Sequence, residues 1–134
     1  MRYLVTGSQM RAIDQDTIQN IGIPSLVLME RAAECVARKA EQLCDQKTLQ
    51  ILASCGVGNN GADGVAAARM LYLHGFDVLV VVVGNEAHAT KEFEVQKGIA
   101  EKLEIPVVDL EHFLHGEDEQ KAGDCAIIDA VFGV

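Results

Sequence analysis

The stretch that decides the fold runs Thr48-Leu49-Gln50-Ile51-Leu52-Ala53-Ser54-Cys55-Gly56-Val57-Gly58-Asn59-Asn60-Gly61-Ala62-Asp63-Gly64. Residues 48–54 form a short apolar segment of strand length, and residues 55–64 form a loop that is rich in glycine and asparagine. The helix-forming residues 65–74 follow, and Gly75 ends them. The stretch therefore predicts a strand, a loop and a helix in that order, which is the unit that builds parallel sheets.

A second strand follows this unit. Residues 77–83 are almost wholly apolar and β-branched without alternation, which is typical of a central parallel strand covered on both faces. Residues 90–103 have helical spacing, a short strand is expected over 106–110, and residues 125–131 predict a further strand. Together these segments predict an α/β fold of three layers, with a mostly parallel sheet between helices.

Two helices are predicted before the first strand. Apolar residues recur at helical spacing from Met10, and Thr6 with Gln9 can form a capping box. Gly22 and Pro24 end this helix. A second helix is expected over residues 25–44, with one apolar stripe made of Leu26, Met29, Ala33, Val36, Ala40 and Leu43.

Size and charge restrict the class of protein. The 134 residues are 49% hydrophobic, which fits one domain with a real core. The net charge of -9 repels phosphate backbones and anionic lipid surfaces, so neither nucleic acid nor a membrane is expected as a partner. The longest apolar run, Val78 to Val83, is only as long as a strand. We expect a cytoplasmic protein.

The cysteines and histidines indicate no metal centre. Four cysteines lack C-x-x-C spacing, which fits a reducing compartment without zinc or disulfides. Cys55, just before the loop, is interpreted as a small buried residue and not as a nucleophile. His112 and His115 have a spacing that a metal could use, but without further ligands we expect them to be surface residues.

The loop at residues 55–64 offers the chemistry of an anion site. A loop between a strand and a helix presents free N–H groups and the positive end of the helix dipole. Gly56, Gly58 and Gly61 match the dinucleotide pattern G-x-G-x-x-G, which alone is weak evidence. On that pattern, a tight turn without a ligand is the alternative.

Residues outside the glycine pattern argue against an NAD dehydrogenase. Such an enzyme places Asp or Glu at the end of the next strand, about 20 residues on, to hold the ribose. Here the strand ends at Val83, and the nearest acidic residue, Glu86, comes late. The loop instead carries Asn59, Asn60 and Asp63, whose side-chain oxygens suit a polar ligand or a cation.

Three sets of residues resemble the motifs of one family. Residues 58–64, GNNGADG, resemble the GNNGGDG motif of the YjeF N-terminal family, the NAD(P)H-hydrate epimerases. Residues 10–14, 22–24 and 28–32 resemble the amino-terminal signature of that family, and residues 129–133, DAVFG, resemble its DAxFG motif. Because the three motifs occur in the family's order, the resemblance covers nearly the whole chain.

The resemblance implies a Rossmann-like fold and an enzyme that interconverts the R and S epimers of hydrated NADH and NADPH, called NADHX and NADPHX. It also implies a K+ ion beside the substrate, held in part by Asn60 and Asp129. A weakly hydrated cation with several oxygen ligands would offset negative charge in this acidic chain. The residues implied for substrate binding are Asn59, Asn60, Gly61, Ala62, Asp63, Gly133 and Val134.

The sequence departs from the family pattern in two positions and lacks one segment. Ala62 replaces a glycine and adds a methyl group near the ligand, and Val57 stands where proline is common. The family's DxPSG segment, with a catalytic Asp and a Ser ligand for the ion, has no match in this sequence. We therefore expect residues 1–134 to be one domain, incomplete at its C-terminus, with the catalytic Asp beyond residue 134.

Simpler roles compete with ligand binding at three positions. Asn60 is a good helix cap, Asp129 could bond nearby backbone amides at the end of its strand, and Asp63 suits the dipole at the start of a helix. The motifs that flank them favour ligand contact at Asn60 and Asp129, whereas at Asp63 capping and dipole stabilisation stay open beside substrate contact.

The resemblance also implies partners. One is an NAD(P)HX dehydratase, fused or separate, and another is a second copy of the chain in a homodimer. The alternative to an enzyme is a non-catalytic nucleotide-binding or scaffold module, because the same fold serves in eukaryotic mRNA-decapping scaffolds and in an apolipoprotein-binding protein. The intact Asn-Asn-Gly sequence at residues 59–61 argues against a purely scaffolding role.

Overall fold

The computed structural model describes residues 3–44, 49–116 and 124–133. Thr48, at the start of the predicted first strand, and Val134, a predicted substrate contact, lie outside the described residues. The elements in chain order are α1 (Gly7–Asp16), a π-helical turn (Thr17–Ile21), α2 (Ser25–Leu43), β1 (Gln50–Gly56), α3 (Asn59–Leu73), β2 (Asp77–Val83), a 3-10 turn (Glu86–His88), α4 (Lys91–Lys102), β3 (Val107–Asp109), α5 (Leu110–His115) and β4 (Cys125–Ala130).

The four strands form one sheet in the order β3-β2-β1-β4, and every pairing is parallel. Helix α3 contacts α2 on one side and α4 on the other, so these three helices form one layer. The connection from β3 back to β4 runs the opposite way along the sheet. Because such crossovers are right-handed, it places α5 on the other face, where α5 contacts β2 and β3. The predicted three-layer α/β fold is confirmed.

The core lies between the sheet and the layer that contains α3. Ile51, Ala53 and Cys55 of β1 face this layer and are fully buried, whereas Leu52 and Ser54, which alternate with them, are partly exposed. A Cβ on Gly64 would lie 2.5 Å from the Ala130 Cβ and 2.9 Å from the Cys55 Sγ. The missing side chain at Gly64 therefore sets how closely α3 approaches the ends of β1 and β4.

The N-terminal region confirms the predicted local signals. Thr6 accepts a hydrogen bond from the backbone N–H of Gln9 while the Gln9 side chain accepts one from the backbone N–H of Thr6, which completes the capping box. Gly22 ends the π-helical turn with a left-handed conformation, φ 88°. None of the ten residues of α1, all within the described part of the chain, is buried.

The predicted apolar stripe of α2 is only partly correct. Met29 and Ala33 are buried as expected, but the third buried residue of this helix is Ala37, which the prediction left out. Leu43 is 72% exposed, and Leu26 and Val36 are also exposed. The predicted stripe was correct at Met29 and Ala33, but the buried face continues through Ala37 and not through Val36.

The largest correction to the predicted elements concerns the glycine-rich segment. Residues 55 and 56 still belong to β1, and α3 begins at Asn59, so the predicted ten-residue loop shrinks to Val57 and Gly58. The remaining strands agree closely with the prediction, and the bounds of β2 are those expected. None of the helices in the described ranges has both the length and the apolarity that a membrane crossing requires.

Candidate functional site

The candidate site lies at the carboxyl ends of β1 and β4. The strand order reverses at β1, since β2 and β3 lie on one side of it and β4 lies on the other. Open α/β sheets bind their ligands in the crevice at such a reversal, outside the carboxyl ends of the strands. Val57 and Gly58, which lead into α3, follow β1, and residues 131–133 follow β4, so both short segments border this crevice.

Two glycines hold the border of the crevice together by close backbone packing. A Cβ on Gly61 would overlap the carbonyl oxygen of Gly56, and a Cβ on Gly56 would overlap the carbonyl oxygen of Val131. The end of β1, the first turn of α3 and the segment after β4 therefore touch through backbone atoms. Because Gly56 and Gly61 are needed for this packing, their presence does not by itself indicate a ligand.

Gly58 differs from these two glycines. It is the N-cap of α3 with φ -92°, an ordinary conformation for any residue. Apart from Gly58 itself and its two neighbours in the chain, no atom of the described residues lies within 4 Å of the position that a Cβ on Gly58 would take. Steric packing within the protein therefore gives no reason for a glycine at this position, whereas close approach of a ligand to the backbone would.

The start of α3 directs backbone N–H groups toward the crevice. The first-turn N–H groups of a helix have no partner within the helix, and here they belong to Asn59, Asn60 and Gly61. Ala62 differs, because its N–H donates to the Gly58 carbonyl oxygen at 3.0 Å and its side chain is fully buried. The extra methyl group of Ala62 thus lies in the core and does not line the crevice.

The side chain of Asn60 joins the two motifs. Its Nδ2 donates a hydrogen bond of 2.9 Å to the carbonyl oxygen of Phe132. A Cβ on Gly133 would lie 3.2 Å from the Asn60 Cβ, so the two residues are in contact. Asn60 is the second residue of α3 and Gly58 is the N-cap, which shows that the alternative role of Asn60 as a helix cap is wrong. Its Oδ1 is not used in the bond to Phe132.

Asp129 contributes a carboxylate at the same edge. Its Oδ1 accepts a hydrogen bond of 3.1 Å from the N–H of Val131, which is the strand-end role considered for it. The side chain is exposed, and its Oδ2 is not used in this bond. Asn60 and Asp129 therefore bond to neighbouring residues of one short segment. Among the residues that the structure describes, no group of three or more His, Cys, Asp and Glu side chains is arranged for a metal.

Asp63 is half-buried in α3, beyond its first turn, so the predicted role at the very start of the helix does not apply. Burial, and after it the nearby carboxylate of Asp14, raise the pKa of Asp63 from 3.8 to about 6. Asp14 lies in α1. The N-terminal helix thus brings a second carboxylate close to the site, and no sequence motif indicated this approach.

Asp63→Asn is expected to stabilise the protein at neutral pH. Because the folded state holds the Asp63 proton more tightly than the unfolded state does, stability falls as pH rises from about 4 to about 6. After allowance for solvent screening, the neutral-pH cost is about 1 kcal/mol, which the variant regains. Urea unfolding at pH 4.5 and pH 7.5 measures the difference, with Asp124→Asn as an exposed control. An unchanged pH dependence in Asp63→Asn contradicts this expectation.

Cys55 behaves as the sequence predicted, as a buried residue. It is fully buried against α3, and burial raises the pKa of its thiol to about 12. A thiol with this pKa is protonated at neutral pH and is a poor nucleophile.

The sheet order defines a Rossmann-like α/β protein with a crevice where the strand order reverses. The sequence model of the family described as "YjeF-related protein N-terminus" matches residues 25–134. This match covers most of the chain, which therefore belongs to the YjeF N-terminal family.

Comparison with individual proteins agrees with this assignment. A protein of Limosilactobacillus fermentum named NAD(P)H-hydrate epimerase is 44% identical over 130 residues, covering 97% of this chain and 59% of the relative. A Lentilactobacillus buchneri protein of the same name is 38% identical over 136 residues, covering 99% and 59%. The crystal structure of yeast YNL200c has the same fold, with a TM-score of 0.80 and 24% identity, over 98% of this chain and 57% of the yeast chain. The chain thus spans about three-fifths of the length of the relatives it matches.

Proposed function

We propose that the chain binds hydrated nicotinamide dinucleotides and serves the epimerisation of NADHX and NADPHX in cofactor repair. The observation that carries this proposal is the hydrogen bond from Asn60 to Phe132, because it joins the two motifs of the family at the reversal of the sheet. The names of the two bacterial relatives support the same activity.

In this proposal, the first turn of α3 holds the pyrophosphate of the substrate. The N–H groups of Asn59, Asn60 and Gly61 supply donors and the positive end of the helix dipole supplies charge, which an acidic chain needs in order to bind an anion. The open space at Gly58 allows a phosphate oxygen to approach the backbone. Asp63, Gly133 and Val134 would contact the rest of the substrate.

A K+ ion fits the chemistry of the available donors. Asn60 Oδ1 and Asp129 Oδ2 are hard oxygen donors at the same edge of the sheet. The hydrogen bond of Asn60 to Phe132 uses Nδ2 and that of Asp129 to Val131 uses Oδ1, so neither bond involves these two oxygens. These two residues would hold the ion, which would supply positive charge beside the substrate. We further propose a cytoplasmic location, a fused or separate dehydratase as partner, and a homodimer.

The direct test has two parts. We expect calorimetry to show that the 134-residue chain binds NADHX more tightly in KCl than in NaCl. Chromatography with a chain that also carries the family's DxPSG segment should show faster interconversion of the R and S epimers than in buffer alone. Binding without faster interconversion in that longer chain would favour a nucleotide-binding module. Absence of binding in both salts would contradict the proposal.

A further inference from the structure

A second pocket lies next to the candidate site, at the carboxyl ends of β2 and β3. Its volume is about 330 Å³. Val82, Val107 and Val108 form an apolar floor, and Glu86 and Lys97 are among the charged residues around it. A pocket that combines an apolar surface with a few placed charges is typical of a small-ligand subsite.

The loop after β2 connects this pocket to the glycine-rich segment. The N–H of Thr90 donates to the carbonyl oxygen of Val57 at 2.9 Å. Gly84, which directly follows β2, has φ 125° and would place a Cβ 3.6 Å from the Val57 side chain. The loop that carries Glu86 is therefore fixed against the segment that leads into α3.

The position of Glu86 matches a general feature of dinucleotide-binding sheets. When the pyrophosphate lies on the helix after the first strand, the adenosine ribose reaches the end of the second strand, where a carboxylate accepts hydrogen bonds from its hydroxyl groups. Glu86 begins the 3-10 turn that follows β2. In sequence, Glu86 comes later after the end of β2 than the ribose-binding carboxylate of a dehydrogenase does. The 3-10 turn nevertheless places Glu86 in the lining of the pocket.

The charges around the pocket are mostly negative. Lys97 contacts Glu86 at 2.5 Å and Glu101 at 3.6 Å, so its charge is already shared between two carboxylates. Asp109 and His112 complete the charged residues of the lining. A ribose 2'-hydroxyl can donate to Glu86, whereas a 2'-phosphate would bring more negative charge to three carboxylates.

We propose that Glu86, held in place by Lys97, forms the subsite for the adenosine ribose and selects a 2'-hydroxyl over a 2'-phosphate. The chain would thus prefer NADHX to NADPHX. Removal of the Glu86 charge would leave Lys97 with Glu101 as its one remaining carboxylate partner of the two, and so better able to meet a 2'-phosphate. This inference rests on the proposed function, because it assumes that the pyrophosphate lies on α3.

Calorimetry with ADP-ribose and with 2'-phospho-ADP-ribose tests the subsite without the nicotinamide end. We expect the wild type to bind ADP-ribose about 10-fold more tightly than its 2'-phosphate, and Glu86→Gln to bring the two affinities within about 2-fold. Lys97→Met should weaken binding of both probes. Glu94→Gln, an exposed change on the same helix as Lys97, is the matched control and should keep the wild-type ratio. Circular dichroism would verify that each variant is folded.

The outcomes separate this inference from the proposed function. If NADHX binds but the wild type binds both probes equally, or Glu86→Gln keeps the wild-type ratio, the subsite is wrong and the proposed function stands. If NADHX binds but neither probe does, the subsite is again wrong. If neither NADHX nor either probe binds, both are wrong.

Discussion

Gly61→Ala is expected to remove most of the free energy of unfolding, a loss of about 3 kcal/mol or more. The new Cβ would overlap the carbonyl oxygen of Gly56, which belongs to β1. No change of rotamer relieves this overlap, because both partners are fixed, one by the sheet and the other by the first turn of α3. Urea unfolding followed by circular dichroism measures the loss.

Gly58→Ala is the matched control for this experiment. The same methyl group at Gly58 meets open space, and the φ of -92° is available to alanine. We expect its free energy of unfolding to stay within about 1 kcal/mol of the wild type. If Gly61→Ala and Gly58→Ala unfold at the same urea concentration, close packing between Gly56 and Gly61 does not hold the site together.

Asn60→Ala is expected to produce the largest loss of ligand binding. The variant lacks both the amide that donates to Phe132 and the oxygen proposed as an ion ligand. We expect the affinity for NADHX in KCl to fall by about 10-fold to 100-fold, since each of the two lost polar interactions contributes about 1 kcal/mol. The advantage of KCl over NaCl should disappear at the same time. Calorimetry in the two salts measures both effects.

Asn20→Ala makes the same chemical change at a residue that is not assigned to the site. Asn20 lies on the π-helical turn, where its amide donates to Asp16. Its variant should bind NADHX as the wild type does. Equal affinities for Asn60→Ala and the wild type, or an unchanged salt preference, would remove the basis for assigning Asn60 to the site.

The sheet could be predicted from sequence because its strands are short and apolar. The run from Asp77 to Val83 has no alternation, and the structure buries it as a central strand between β1 and β3. The capping box at Thr6 was equally predictable, since its hydrogen bonds join residues only three positions apart. These elements could therefore be predicted because interactions between residues close in sequence determine them.

The start of α3 could not be predicted in the same way. Glycine and asparagine have low helix propensity, so residues 59–64 were predicted as loop. In the structure, packing of Gly61 on Gly56 and of Gly64 on Ala130 outweighs this propensity and draws the segment into the helix. These partners lie in other elements, and a propensity argument does not include them.

For the candidate site, the sequence indicated the residues but not how they meet. The motifs named Asn60 and Asp129, and their roles as ligands remain predictions. The bond from Asn60 to Phe132 spans 72 positions in sequence. The approach of Asp14 to Asp63 likewise joins two separate helices. Such long-range pairs depend on how distant elements pack together in the fold, and a local sequence pattern does not contain this information.

The placement of β4 beside β1 has a consequence for the order in which the protein folds. β1, α3 and β2 are consecutive in sequence and can assemble early, whereas β4 must close a much longer loop before it pairs with β1. The border of the crevice that residues 131–133 provide forms only when β4 has paired with β1. The proposed site for a dinucleotide should therefore form late in folding, and a bound ligand would favour the fully assembled sheet over partly assembled forms.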